Sequence, residues 1–285
     1  MKKLIINADD YGLHTAVNQG IISGHIAGCV TSTTLMACGS AFEDAIEKAL
    51  EHPSLGVGVH LTLVGEKPLT DAERIPTLVE EDGRFPDSYP KVMARWLRRQ
   101  INLDEVYTEL YAQVKKAAES GLALTHVDSH QHLHVLPGII DLVLKLAGEF
   151  AIPAIRIPSE PFLFTGGYPF SVGRVIGRSG LSTFALLARR KARRKGLKAP
   201  DHFFGMLAGG HMEEKYLLAI LDKLPDGVSE IMMHPGGDDA ALRAAYTHWD
   251  LSWQAELKAV QSSTVRRRLV ERGITLVSYK ELVNG

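Results

Sequence analysis

The chain of 285 residues contains only two cysteines, Cys29 and Cys38. Two thiols this close in sequence cannot form a disulfide framework, and their spacing fits no common zinc module. They read as two small buried apolar residues in a reducing compartment. Long apolar runs are also missing: no stretch of about 18 apolar residues is available to cross a bilayer. The opening MKKLIINADDYG has two lysines and then three apolar residues before Asn7, too few for a signal peptide. A cytoplasmic protein is expected. Neither sign of charge dominates, with 32 basic against 33 acidic residues, so no nucleic-acid partner is expected. The nucleophile elbow G-x-S-x-G and the phosphate loop G-x-x-x-x-G-K-[ST] are absent. Their absence argues against acyl-enzyme chemistry and ATP use.

What is present is an alternation. Short β-branched runs recur at LIINA (4–8), VTSTTLMA (30–37), GVGVHLTL (56–63), THVDSH (125–130), AIRIP (154–158), EIMMH (230–234) and ITLVSY (274–279). Each has the length of a strand. Helical spacing separates most of them, at 41–52, 103–121, 138–151, 212–224 and 262–273. Strand–helix alternation implies parallel strands with crossover helices. Seven candidate strands suit an α/β fold of the (β/α)-barrel type, distorted from the eight-stranded TIM form; a doubly wound sheet is the alternative. One domain over 1–285 is expected, with insertions at about 65–102 and 162–205. Phe85, Tyr89 and Trp96 fall in the first insertion, which is longer than a crossover requires and is expected to cover the cleft as a lid.

In a β/α barrel the site lies at the C-terminal strand ends. Polar groups recur there. Strand one ends in Asn7-Ala8-Asp9-Asp10, strand three carries His60, strand five Arg156, and strand six ends at His234. Strand four runs into Asp128, His130, His132 and His134, so four of the twelve histidines lie between 126 and 134. Each residue alone has an ordinary explanation. Paired aspartates cap helices, a lone histidine is more often a hydrogen-bonded core residue, and an arginine often serves a structural ion pair. Together, at equivalent positions of one architecture, they imply a site. If the chain stays extended, residues 126 to 134 of even number share one face. Not all could reach one ion; an aspartate and two histidines from different strands would suffice, leaving a position for water. Asp128 could orient a ligating imidazole. Such a set suits amide hydrolysis, with an acidified water, a carboxylate base and a histidine to protonate the amine.

The combination NADDYG (7–12), VTSTTLM (30–36), GVGVHLTL (56–63), THVDSHQHLH (125–134) and EIMMHPG (230–236) resembles the YdjC-like carbohydrate deacetylases, which include chitooligosaccharide deacetylases. The resemblance implies a metal-dependent barrel enzyme acting on N-acetylated amino sugars. It implies that Asp10, His60 and His130 hold one divalent ion, that Asp9 is the base held by Arg156, and that His234 is the general acid. Asp128, His132, His134 and Tyr11 are assigned to substrate contact or support of these groups. No organic cofactor is implied. The ion is magnesium by resemblance and zinc by ligand chemistry. Further stretches, IRIPSEP (155–161), ARRKARRKG (188–196), DHFFGM (201–206) and LPDGVSEIMMHPG (224–236), resemble the deacetylases associated with hopanoid biosynthesis. That subgroup implies an N-acetylglucosaminyl bacteriohopanetetrol as substrate.

Residues 172–200 carry seven basic residues between Arg189 and Lys198 after the apolar FALLA. This is either a solvated helix end or a peripheral contact with anionic lipid on the inner face of the membrane. The apolar residues at 162–187 suit burial in a second copy of the chain as well as contact with lipid. A lipid-linked substrate would call for an apolar groove near Phe162, Phe164, Phe203 and Phe204. A soluble chitooligosaccharide would call for a polar cleft with aromatic platforms. Two other classes remain, a metal- or sugar-binding protein without turnover and a phosphoesterase with a second metal.

Overall fold

The computed structural model describes residues 1–161, 164, 166–169, 172–247 and 249–284. Strands β1 (Lys2–Tyr11), β2 (Ser32–Leu35) and β3 (Gly56–Leu61) alternate with helices α1 (Thr15–Ile26) and α2 (Phe42–Glu51). A 3-10 turn (Ala72–Arg74) and α3 (Tyr89–Leu97) precede α4 (Leu103–Ala118), β4 (Leu124–Ser129) and α5 (Ile139–Glu149). The chain continues through α6 (Val172–Arg194), β5 (His202–Phe204), α7 (Glu214–Lys223) and β6 (Gly227–Met233). It closes with α8 (Asp239–Ala245), α9 (Trp253–Gln261), α10 (Ser263–Glu271), β7 (Ile274–Leu276) and α11 (Tyr279–Asn284).

The strands form one parallel sheet in the order β4-β3-β2-β1-β6-β5. One flank of β1 pairs with β6; the other pairs with β7 at Lys2–Leu4 and with β2 from Asn7 onward. The sheet curls into a half-barrel rather than a closed barrel. Among the described residues, its open side is crossed only by isolated pairs, Val127 with Ile155 and Ala154 with Lys198. AIRIP is therefore not a regular strand, contrary to the pattern. Pro153 precedes it and Pro158 is its last residue, and a residue without an N–H cannot extend a ladder. The strand at that side of the sheet is His202–Phe204 instead.

Helices follow from amphipathic spacing and local caps. Asn102 caps α4 through Asp104 N, and Ser262 caps α10 through Thr264 N and Val265 N. The main core lies between the sheet and its helices. A smaller apolar cluster, Ile5, Ala154, Val277 and Tyr279, packs separately. Ile5, Asn7 and Asp9 alternate along β1, so this cluster floors the inner face on which the polar groups stand.

Helix α1 approaches the turn after β6 without side chains between them. A Cβ at Gly20 would stand 2.5 Å from the Cα of Gly236. Gly20→Ala is expected to lower stability by about 1–3 kcal/mol in urea denaturation, because the turn after His234 must retreat. Unchanged stability would show that this backbone contact is not tight.

Candidate active site

Successive strand residues face opposite sides of a sheet, yet Asp9 and Asp10 both reach the same side. The backbone explains this. Asp10 has φ 67°, in the left-handed region, and the β1–β2 register is irregular between Ala8 and Tyr11. Aspartate tolerates that region better than most side chains. Tyr11 is then turned away from the site. Its hydroxyl donates to the carbonyl of Ala45 in α2 at 2.7 Å, away from the cluster, contrary to its assignment to substrate contact or support.

Arg156, fully buried, stands at the centre of the inner face. Its Nη1 and Nη2 donate to the two oxygens of Asp9 at 2.6 Å each. Nη1 also lies 2.6 Å from Asp128 Oδ2, and Nε donates to Glu230 Oε1 at 2.8 Å. The carboxylates come from β1, β4 and β6. Asn7 Nδ2 adds a bond to Asp9 Oδ1 at 2.9 Å. Burial pushes Glu230 up to about 7 against the pull of Arg156 and Tyr279, whose hydroxyl donates to Oε2 at 2.7 Å. Burial also opposes ionisation of Asp128, but Arg156 and His60 hold it below the usual carboxylate range. Glu230 opens the EIMMHPG stretch, yet sequence reasoning assigned it no role.

Asp10, His60 and His130 each offer one donor atom, and these atoms lie within 4.8 Å of one another. His60 Nδ1 faces Asp128 Oδ1 at 2.7 Å, which orients the ring and leaves Nε2 turned toward Asp10 Oδ1 at 3.2 Å. His130 Nδ1 meets the same Asp10 oxygen at 3.0 Å. Asp10 Oδ2, His60 Nε2 and His130 Nε2 are buried without a hydrogen-bond partner. Three orphaned donors of this type, with a carboxylate behind one imidazole, fit a divalent ion. Burial would raise the Asp10 pKa, yet His130 and His60 hold it well below the usual range. Burial opposes charge on His60 as well, but Asp128, Asp10 and Asp9 push it up to about 10. Asp9, His60 and Asp128 make a second candidate trio. Arg156 already occupies both of its carboxylates, so a second ion there would face a guanidinium.

The chain does not stay extended beyond Ser129. His130–Val135 forms a 3-10 segment in which Gln131 (φ 54°) and His132 (φ 60°) are left-handed. The alternation therefore stops at Asp128. His126 stacks on Tyr279 at 3.6 Å below the site, and burial lowers it to about 3. His134 is held by Ser129 Oγ and the Arg156 carbonyl, at 2.8 and 3.1 Å, and burial lowers it to about 4. His132 is likewise kept neutral by burial and then by Arg156, but its ring lines the cavity.

That cavity, about 280 Å³, is lined by Asp9, Asp10, His130, His132, His234 and Trp249 together with backbone-rich segments at 209–210 and 250–251. Trp249 stacks on His130 at 4.9 Å between centroids. Residues 65–102 contribute none of the residues lining this cavity, although Gly65 stands beside Trp249 at its edge. Phe85 is buried, and Tyr89 and Trp96 pack against the core instead. Phe203 and Phe204 are also buried and do not line an apolar groove; Phe164 packs on Phe204, and Phe162 lies outside the described residues.

The residues 3–271 match the family model described as YdjC-like protein. The chain belongs to the YdjC-like family. Its YdjC-like relatives include a carbohydrate deacetylase of Brevibacillus brevis, 33% identical over 281 residues, covering 98% of this chain and 99% of the relative. A carbohydrate deacetylase of Geobacillus stearothermophilus is 32% identical, covering 97% and 96%. A crystal structure from Enterococcus faecalis V583, described as a cellobiose-phosphate cleavage protein, superposes with a TM-score of 0.78 at 30% identity over 99% of both chains.

Asp128→Asn is expected to weaken zinc binding about 10–100-fold in calorimetric titration, because His60 loses the carboxylate that fixes its ring. Affinity equal to wild type would remove Asp128 from any role in ligation.

Proposed function

We infer that this YdjC-like protein is a carbohydrate deacetylase that removes the acetyl group from an N-acetylated amino sugar, using a divalent ion held by Asp10, His60 and His130. One observation carries the reading: Asp10 and His130, each with a partnerless buried atom and grouped with His60 within 4.8 Å, line one cavity together with the clamped Asp9 and the His234 imidazole. The names of the relatives support the reaction class. An ion at these ligands supplies Lewis acidity, polarising a carbonyl and acidifying water. Asp9 accepts a proton from the attacking water, while Arg156 holds its carboxylate in a fixed plane. His234, across the cavity, delivers a proton to the departing amine nitrogen as the amide C–N bond breaks. Acetate and a free amino sugar result. His132 and Gln131 present buried atoms without partners, Nδ1 and Oε1, to the same cavity, which suits sugar hydroxyls. Two imidazoles and one carboxylate favour zinc over the magnesium implied by resemblance. Metal analysis of protein purified without chelator or affinity tag decides between them.

Asp9→Asn is expected to slow acetate release from N-acetylated chitooligosaccharides at least about 100-fold while retaining one equivalent of metal. Wild-type protein that binds metal and sugar yet releases no acetate from any N-acetylated sugar would leave a binding protein in place of the enzyme.

A second reading concerns the substrate's tail, and α6 favours it. Ala185, Ala188 and Ala192 face the core, while Leu186, Leu187, Arg190, Arg193, Arg194 and Lys195 are exposed. A face of leucines followed by basic residues suits an anionic membrane surface, where a hopanoid glycolipid would reside. Arg189 and Lys191 are engaged within the protein, with the Pro200 carbonyl and with Asp141. Replacing Arg190, Arg193 and Arg194 by glutamate is expected to weaken binding to phosphatidylglycerol vesicles roughly 100-fold or more, at about 1 kcal/mol for each lost basic residue. Equal sedimentation of wild type and variant would leave the soluble sugar as the substrate.

A further inference from the structure

Glu256 lies on α9, far in sequence from every motif, and is fully buried. A carboxylate in that position needs compensation. Among the described residues, the ion pair recorded for it is with His234, whose Nδ1 stands 3.7 Å from Oε2. The rest of its compensation is backbone. Oε1 accepts from Met212 N at 2.9 Å, and Oε2 accepts from His234 N. Glu256 therefore holds the end of β6 to the 209–212 segment, and both line the cavity. The first turn of α9 repeats the connection, because Gly236 N donates to the Trp253 carbonyl at 3.1 Å and Ser252 N to the Gly210 carbonyl at 2.7 Å.

Resting on the reading of His234 as the proton donor, we propose that Glu256 is its positioning residue, anchoring the backbone at 234 and facing ring Nδ1 so that Nδ1 carries the proton and Nε2 is presented to the cavity. The charges that face His234 come from two elements. Glu256 lies on α9, and Asp10 and Asp9 lie at the end of β1. Burial opposes charging of the ring, but these three carboxylates, Glu256 foremost, push it up to about 9. The direct contact with the imidazole is electrostatic, and the hydrogen bonds from Glu256 go to the backbone. The carboxylate thus acts through His234 and does not touch substrate.

The test uses the zinc-loaded full chain. Nitrogen-15 spectra of the histidine rings, with His234→Asn to assign the signal, report the tautomer and the titration midpoint without any substrate. Wild type should show Nδ1 protonated, and Glu256→Gln should lower the His234 midpoint by at least one pH unit. In acetate-release assays the same variant should lose about tenfold or more in kcat with little change in KM, and Glu256→Asp should recover part of it. A His234 ring with unprotonated Nδ1 in the wild type overturns the proposal even if neither variant folds. So does a midpoint that is the same in Glu256→Gln. Absence of acetate release from the wild type would instead count against the deacetylase reading and leave the spectroscopic result standing.

Discussion

The arrangement depends on one buried guanidinium. Arg156 joins Asp9, Asp128 and Glu230, which arrive from three different strands and would otherwise repel one another on the inner face of the sheet. Breaking a buried ion pair by deleting one partner is strongly destabilising, because the other charge is left without water or counter-ion. Three carboxylates still outnumber one guanidinium. The excess is relieved at Glu230, whose raised pKa lets it hold a proton near neutrality and whose other oxygen is satisfied by Tyr279. Asp9 is thereby fixed at the cavity edge, and Asp128 is left with one oxygen for His60.

The polar groups are stacked in layers along the inner face of the curled sheet. Ile5, Ala154, Val277 and Tyr279 form the floor. Arg156, Glu230 and His126 stand in the neutralised layer above. Asp9, Asp10, His60, His130 and His234 occupy the open end, where a β/α fold places its chemistry. A side chain's role follows from its level. His126 and His134 are satisfied by neighbouring groups and kept neutral, whereas His132 and His130 retain atoms without partners.

The strong β-branched runs were legible, because β1, β3, β4 and β6 are buried along most of their length and must be apolar or carry the site's own polar residues. The strand ends consequently exposed Asp9, Asp10, His60, Asp128 and His234 to inspection. AIRIP misled, since prolines before it and at its end limit pairing to isolated contacts while its arginine still reaches the centre. Helix α1 escaped notice because Gly20 and Gly24, needed for close approach, weaken the helical pattern. Glu230, although inside EIMMHPG, and Glu256 drew no role from the sequence for another reason. One glutamate in a strand or helix has no signature, and only the fold brings it against an arginine or a histidine. Trp249 likewise gains its meaning from stacking on His130.

The left-handed backbone at Asp10 couples conformation to charge at a single position. Asparagine and aspartate both tolerate that geometry, but only aspartate brings a negative charge. An amide there would keep the shape of the strand end while erasing its charge.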